Sequence, residues 1–405
     1  FYQATIIVLN AYRVFLDRYE QLAADLSNKS ESPEIKEQLL ALKNICFNIS
    51  HSPPRSFRES LQSLWFLFVL LQLESNASSF SPGRIDQYLY PILSRDLESG
   101  ELTLVQALEL IEALWIKFNH IVYLRNSNSA KYFAGFPIGF NVVLGGQTLD
   151  GKDASNILSF LCLKAQDHIG LPQPNVSARF CRHTSDQFID ECSRVIGLGS
   201  GMPQIFNDES IIPALENQGI QHKHAMDYAV VGCVELTTPG NNLGWSDAAM
   251  FNIPKALELT INNGKCLLSG KQLGLQTGYL TDYSNYEAFE NAFEKQIHYF
   301  IKKMIDLCDI VDRFHARILP SPFLSTVVDG CLENGIDVTA GGALYNLSGI
   351  QMIQVANIAD SLAVIKKLVY DDQTISKAMM LDMLNQNYQG YEEYRQKIIN
   401  HVPKY

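Results

Sequence analysis

Several absences narrow what this 405-residue chain can be. Its longest strongly apolar run, Leu64-Trp65-Phe66-Leu67-Phe68-Val69-Leu70-Leu71, falls well short of the roughly 20 residues a membrane-spanning helix needs, and reads as a buried helix. No basic stripe interrupts a net charge of −11, which argues against nucleic acid as a partner. The cysteines at 46, 162, 181, 192, 233, 266, 308 and 331 are scattered, with no Cys-x-x-Cys pair and no zinc or iron–sulfur spacing. The expected compartment is a reducing cytoplasm, with most of these thiols buried and inert. No charged, apolar and small-residue signal pattern opens the chain. Gly197-Leu198-Gly199-Ser200-Gly201 lacks the Gly-Lys-Ser/Thr ending of a phosphate loop, and no complete dinucleotide fingerprint occurs elsewhere.

What is present is ordinary globular composition, 47% hydrophobic and 19% charged, enough for a large core. Helical periodicity predicts helices over 4–26, 34–48, 57–75, 102–118, 153–170, 185–197, 247–264, 286–317, 373–386 and 390–400. Ser56 with Glu59 has the spacing of a capping box, and Thr103 is an expected cap. Short buried strands are expected over 138–144, 175–180, 203–206 and 226–231, with 79–91 as a loop. Strands alternating with longer helices indicate an α/β fold, as a barrel or a wound sheet. Without repeat or linker, 1–405 reads as one domain. Neither Phe1-Tyr2 nor His401-Val402-Pro403-Lys404-Tyr405 looks like a natural terminus, so a piece of a larger protein is expected.

The chemistry concentrates at Val231-Gly232-Cys233-Val234-Glu235. In an extended segment, residues two apart face the same way, so Cys233 and Glu235 would share one cavity. A sulfur able to carry one-electron chemistry would stand beside a carboxylate able to move a proton. Burial would raise the pKa of Glu235 and suit it as a general base. His222 and His224 lie upstream and could ligate a metal or activate Cys233 as a nucleophile. Ser246 or Asp247 is expected to cap the helix beginning at Ala248, which is compatible with binding a polar substrate. Ser81-Pro82-Gly83-Arg84-Ile85-Asp86-Gln87-Tyr88 and Phe206-Asn207-Asp208-Glu209 concentrate polar groups between apolar runs and are candidates for lining a site.

Gly232-Cys233-Val234-Glu235 resembles the cysteine loop of glycyl radical enzymes, in the branch of radical dehydratases and lyases related to pyruvate formate-lyase. The resemblance extends over essentially the whole chain, through Ser81 to Pro91, Phe206 to Glu209, Pro320-Ser321-Pro322-Phe323, Asp329-Gly330-Cys331 and Gly341-Gly342-Ala343-Leu344-Tyr345-Asn346. It implies a ten-stranded α/β barrel of two half-barrels surrounded by helices, here truncated at both ends. It implies a radical stored on a glycine outside this chain, whose Arg-Val-x-Gly-Tyr motif is absent, with no cofactor bound directly. A partner activase using S-adenosylmethionine and an iron–sulfur cluster would install that radical. Cys233 would act as a thiyl and Glu235 as base in elimination from a polyol or related hydroxylated small molecule, in a homodimer that binds neither nucleic acid nor membrane.

Departures from the family pattern sharpen this expectation. Pyruvate formate-lyase proper carries two adjacent cysteines and an arginine in the segment corresponding to Gly244–Phe251. This chain has neither, which argues against formate acetyltransferase, the alternative reading. Asp247 falls where glycerol and diol dehydratases place a hydroxyl-binding carboxylate. Ser81 falls near their substrate serine, but Phe80 replaces a histidine. Phe136-Pro137-Ile138-Gly139-Phe140 lacks the serine and aspartate of a hydroxyproline dehydratase, and Leu236 replaces a common proline. Ser81, Asp86, Phe140, Ser246 and Asp247 are the expected substrate-binding residues. The competing readings are a non-catalytic scaffold needing a glycyl-radical subunit in trans, and a cysteine hydrolase pairing Cys233 with His222 or His224.

Overall fold

The computed structural model describes residues 1–75, 79–121, 126–132, 139–243 and 245–403. The chain divides into two compact units, Phe1–Ser246 with His315–Leu347, and Asp247–Phe314 with Ser348–Tyr405.

The first unit opens with three helices, α1 (Tyr2–Lys29), α2 (Pro33–His51) and α3 (Phe57–Glu74). Ser56 caps α3 by accepting from the Glu59 N–H at 3.2 Å. The Glu59 carboxylate, however, accepts from Arg55 N–H and Asn48 Nδ2, tying α3 to α2 rather than closing a box. A full capping box forms instead at Thr103 with Gln106, where helix Leu104–Phe118 begins. Within 79–91, expected as loop, helix Ile85–Tyr88 forms and a second helix, Tyr90–Glu98, begins.

Three parallel strands follow: β1 (Asn141–Gly145), β2 (Asn175–Phe180) and β3 (Gln204–Asn207), in that spatial order. Helices Ile157–Ile169 and Asp186–Val195 connect them, as parallel neighbours require. Side chains alternate across the sheet. Val142, Leu144, Val176 and Ala178 enter the largest apolar cluster with Phe57, Phe68, Trp115 and Phe118. Asn141, Val143, Asn175, Ser177 and Arg179 occupy the opposite face, where Val143 packs with Ala229 and Val230. That face approaches an antiparallel hairpin of β4 (Ala229–Val231) and β5 (Glu235–Thr237).

The second unit is mainly helical and buries Leu257, Phe289, Phe293, Ile358, Leu368 and Met383 in one cluster. The helix expected from Ala248 is instead strand β6 (Trp245–Asn252), joined in a two-stranded sheet to β7 (Ser348–Ile353). The helix starts at Ile253 because Pro254 fits only its first turn, and Asn252 rather than Ser246 or Asp247 caps it, accepting from Lys255 N–H at 3.0 Å. Helices Asp208–Asn217 and Val355–Val364 were also not evident in the periodicity. The mixed α/β class thus holds, with three-, two- and two-stranded sheets among the described residues. None of the described helices is long and apolar enough to cross a membrane.

Candidate functional site

The pairing of Val231 with Glu235 across β4 and β5 leaves Gly232-Cys233-Val234 as the turn of the hairpin. Cys233 is therefore not in extended backbone, and alternation along a strand is not what unites it with Glu235. The carboxylate instead folds back over the turn. Backbone N–H groups of Cys233 and Val234 donate to Glu235 Oε2 at 2.7 and 2.9 Å. Gly232 makes this possible. Its φ is +66°, and a Cβ there would stand 2.6 Å from Glu235 Oε2. Cys233 is exposed, whereas the other seven cysteines are buried or half-buried. Cys46 and Cys331 are buried thiols pushed up to about 11 by desolvation, and Cys192 similarly to about 12.

The turn is held from below by the amino ends of two parallel strands. Asn141 and Asn175 are register partners. Both side-chain amides donate to the Gly232 carbonyl, at 3.3 and 3.2 Å. A Cβ on Gly139 would lie 3.2 Å from Ser79 Oγ and 3.3 Å from Gly232 Cα, so the segment before β1 abuts the turn closely. Ser81 joins these pieces: its hydroxyl donates to the Ser79 carbonyl at 2.9 Å and accepts from Asn141 N–H at 3.0 Å. Ser81 is thus within the framework that carries the cysteine turn. Neither Asn141, Asn175 nor Ser79 was singled out from the sequence; the available signal was an amide opening each of two apolar strands.

The other expected site residues are placed as follows. Asp86 is fully buried at the far end of β1, accepting from Gly145 N–H at 2.7 Å and Ser159 Oγ at 2.6 Å. The length of β1 separates that end from Asn141 by roughly 13 Å. Burial pushes the Asp86 carboxyl up, against the opposing pull of the Arg84 guanidinium. Phe140 is fully buried in the core, its ring centroid 4.6 Å from that of Phe68, and Phe80 packs against the same core. Ser246 ends the first unit and Asp247 begins the second, both on β6. Phe136, Pro137, Ile138 and Gly244 lie outside the described residues.

Phe206-Asn207-Asp208-Glu209 resolves into structural roles. Asn207 caps the following helix, and Glu209 pairs with Arg182 at 2.7 Å. Asp208 makes a two-pronged pair with Arg179 at 2.8 Å on each prong, both side chains being fully buried. Arg179 also donates to the carbonyls of Tyr228 and Met226, just before β4, and the Tyr228 hydroxyl donates to Asp208. This network fixes the chain that delivers the hairpin. The upstream histidines engage other groups: His222 with Glu216 at 2.5 Å, and His224 with the Tyr345 hydroxyl at 2.8 Å. No group of three or more His, Cys, Asp or Glu among the described residues could hold a metal ion.

After β5 the chain is stitched to a distant segment. Leu243 N–H donates to the Tyr345 carbonyl and Tyr345 N–H to the Asn241 carbonyl, while Asp329 N–H reaches the Gly240 carbonyl. The motif segments from Ser81 to Asn346 belong to the first unit, while Asp247, compared with the family pattern as well, begins the second.

Comparison with known proteins covers both units. The profile described as "Pyruvate formate lyase-like" matches residues 1–405. The chain is 36% identical over 394 residues to the (2S)-3-sulfopropanediol dehydratase of Klebsiella oxytoca, covering 97% of this chain and 48% of that protein. The glycerol-bound B12-independent glycerol dehydratase of Clostridium butyricum superposes with a TM-score of 0.95 at 37% identity, covering 100% of this chain and 50% of the other. A Roseburia inulinivorans protein of 1,2-propanediol dehydration gives 0.93 at 38% identity, covering 98% and 50%. The chain belongs to the pyruvate formate lyase-like family of glycyl radical enzymes, in its dehydratase and lyase branch. It spans about half the length of the curated relatives it matches.

Proposed function

We propose that this chain carries the reacting thiol and base of a glycyl radical dehydratase, or C–O lyase, acting on a hydroxylated small molecule. The observation that carries this reading is the hairpin turn. It presents Cys233 to solvent while Glu235 lies folded against the same turn, bonded to its amides. An exposed thiol on a fixed turn suits hydrogen-atom exchange with a group on another segment. A glycyl radical supplies the one-electron oxidant for that thiol.

As a thiyl, Cys233 takes a hydrogen atom from a hydroxyl-bearing carbon, forming S–H as C–H breaks. Glu235 accepts the proton of that hydroxyl. The neighbouring C–O bond then breaks, hydroxide leaves and is protonated to water, and the product radical recovers a hydrogen atom from Cys233. The relatives above are named for a sulfopropanediol, glycerol and 1,2-propanediol, each with more than one hydroxyl, which supports a polyol or diol as substrate class. The single cysteine in the turn supports elimination over acyl transfer. In the same reading, β1 to β3 belong to a ten-stranded barrel, Asp247, Ser246 and Ser81 contact the substrate, and an S-adenosylmethionine-dependent activase serves a cytoplasmic homodimer.

The test is Cys233→Ser in the full-length protein, activated anaerobically. Turnover of diols and polyols should vanish while the glycyl signal in electron paramagnetic resonance persists. Normal turnover by this variant would refute the assignment.

A further inference from the structure

The Gly232 carbonyl receives two side-chain amides from adjacent strands, an arrangement that neither apolar packing nor strand pairing requires. We infer that Asn141 and Asn175 form a clamp on the Gly232 carbonyl that sets the position of the Cys233 thiol, which makes them positioning residues for the proposed reaction.

The geometry carries this in three steps. First, the turn is short, so fixing the Gly232 carbonyl fixes the peptide leading directly into Cys233. Second, the two amides are a matched pair. They are register partners opening β1 and β2, so the carbonyl is held by the sheet itself rather than by a loop. A carbonyl oxygen has two lone pairs and can accept both bonds. The acceptor also dictates which way each amide points, because only Nδ2 can donate. Third, the device has a cost that packing alone does not explain. Asn141 is fully buried, and with Nδ2 turned to Gly232 its Oδ1 has no hydrogen-bond partner among the described residues. A buried amide left half-satisfied is ordinarily unfavourable, whereas an apolar residue there would leave no such atom. On the other side of the turn, Glu235 Oε2 holds the amides of Cys233 and Val234. The peptide groups flanking the thiol are thus gripped from both sides, by donors below and by an acceptor above.

The inference rests on Cys233 being the reacting residue. Its test, though, reads the thiol without turnover, so either idea can fail while the other stands. Iodoacetamide labelling of the unactivated protein, followed by mass spectrometry, measures the Cys233 rate, with half-buried Cys308 as an internal reference. Asn175→Ala removes one donor, and Asn175→Asp replaces it with a group that cannot donate and repels the carbonyl. Loss of one such bond should change the Cys233 rate about fivefold in Asn175→Ala and more in Asn175→Asp, with Cys308 labelling and the melting temperature held. In the activated full-length enzyme the same variants should lower kcat, leave KM near its original value and keep the glycyl signal. An unchanged Cys233 rate in folded variants would overturn the clamp. So would a parallel rise at Cys308, or failure of both variants to fold, since either marks a general structural role.

Discussion

The two units of this chain are built on different physics. In the first, the interior contains Glu59, Arg84, Asp86, Asp96, Arg179 and Asp208 among its aliphatic and aromatic side chains. In the second, the buried polar side chains among the described residues include Thr260, Gln296 and Tyr283, none of them charged. Gln296 pins the loop at Leu275 through its amide and the Tyr283 hydroxyl bonds Thr277, while apolar packing fills the cluster around them. Apolar packing is non-directional and tolerates substitution if volume is kept. Buried charges require defined partners and geometry, and stand out only where a structure needs particular atoms in particular places. Here Arg84 and Asp86 hold the Gly145 end of β1, Arg179 and Asp208 fix the chain entering β4, and Glu59 and Asp96 tie helix ends together. The unit that carries the cysteine turn is thus also the one that uses buried charges for placement.

The comparison can be broken, or sharpened, in order of expected effect. Glu235→Gln keeps the size of the side chain and removes the base. It should lower kcat of the activated full-length enzyme by about 10²–10⁴-fold with the glycyl signal retained, and a near-normal rate would take Glu235 out of that role. Next comes a matched pair, one substitution in each unit. Asp208→Ala strands the Arg179 guanidinium in the first unit and should cost about 3–5 kcal/mol in chemical denaturation. Phe289→Ala, which opens a cavity in the second, should cost a similar 3–5 kcal/mol or so. The difference should appear at Cys233, where labelling changes in Asp208→Ala because Arg179 also holds the chain entering β4. Equal labelling in the two variants would erase the distinction between the units.

The smallest expected effect is a pH signature. Burial raises the Asp86 carboxyl above its unfolded value. Its contribution is therefore fully present at pH below the unfolded carboxylate pKa and is lost as pH rises through the folded one. Asp86→Asn retains an acceptor for Gly145 and Ser159 and should flatten this part of the pH dependence, while changing stability near pH 7 by about 1 kcal/mol or less. A pH profile of unfolding identical to that of the original chain would show that Asp86 does not titrate in this way.

Much of the fold was legible because local physics determines helices. Thr103, Asn156 and Ser376 cap where hydroxyl or amide precedes an apolar period, and the long helix Tyr286–Ile318 follows its periodicity. The error at Ala248 is instructive. Ser246 and Asp247 resemble a helix start, yet Pro254 defers the helix to Ile253 and leaves a strand in front of it. At the site, the thiol and carboxylate were legible by residue type and spacing, but their geometry was not. The hairpin turn, rather than strand alternation, brings Glu235 back over Cys233. Of the residues expected to bind substrate, Asp86 satisfies strand and helix ends and Phe140 packs in the core, contacts that residue type alone does not reveal.

By itself the sequence determined membership of the family and most of the helices, and it singled out the residue pair on which the proposed chemistry rests, since these depend on residue identity and near neighbours. Only the tertiary structure decided that Cys233 is exposed, that residues 315–347 return to the first unit, and that Ser79, Gly139, Asn141 and Asn175 meet at Gly232. Those facts rest on strand register and on contacts between residues far apart in the chain, and no local pattern encodes either.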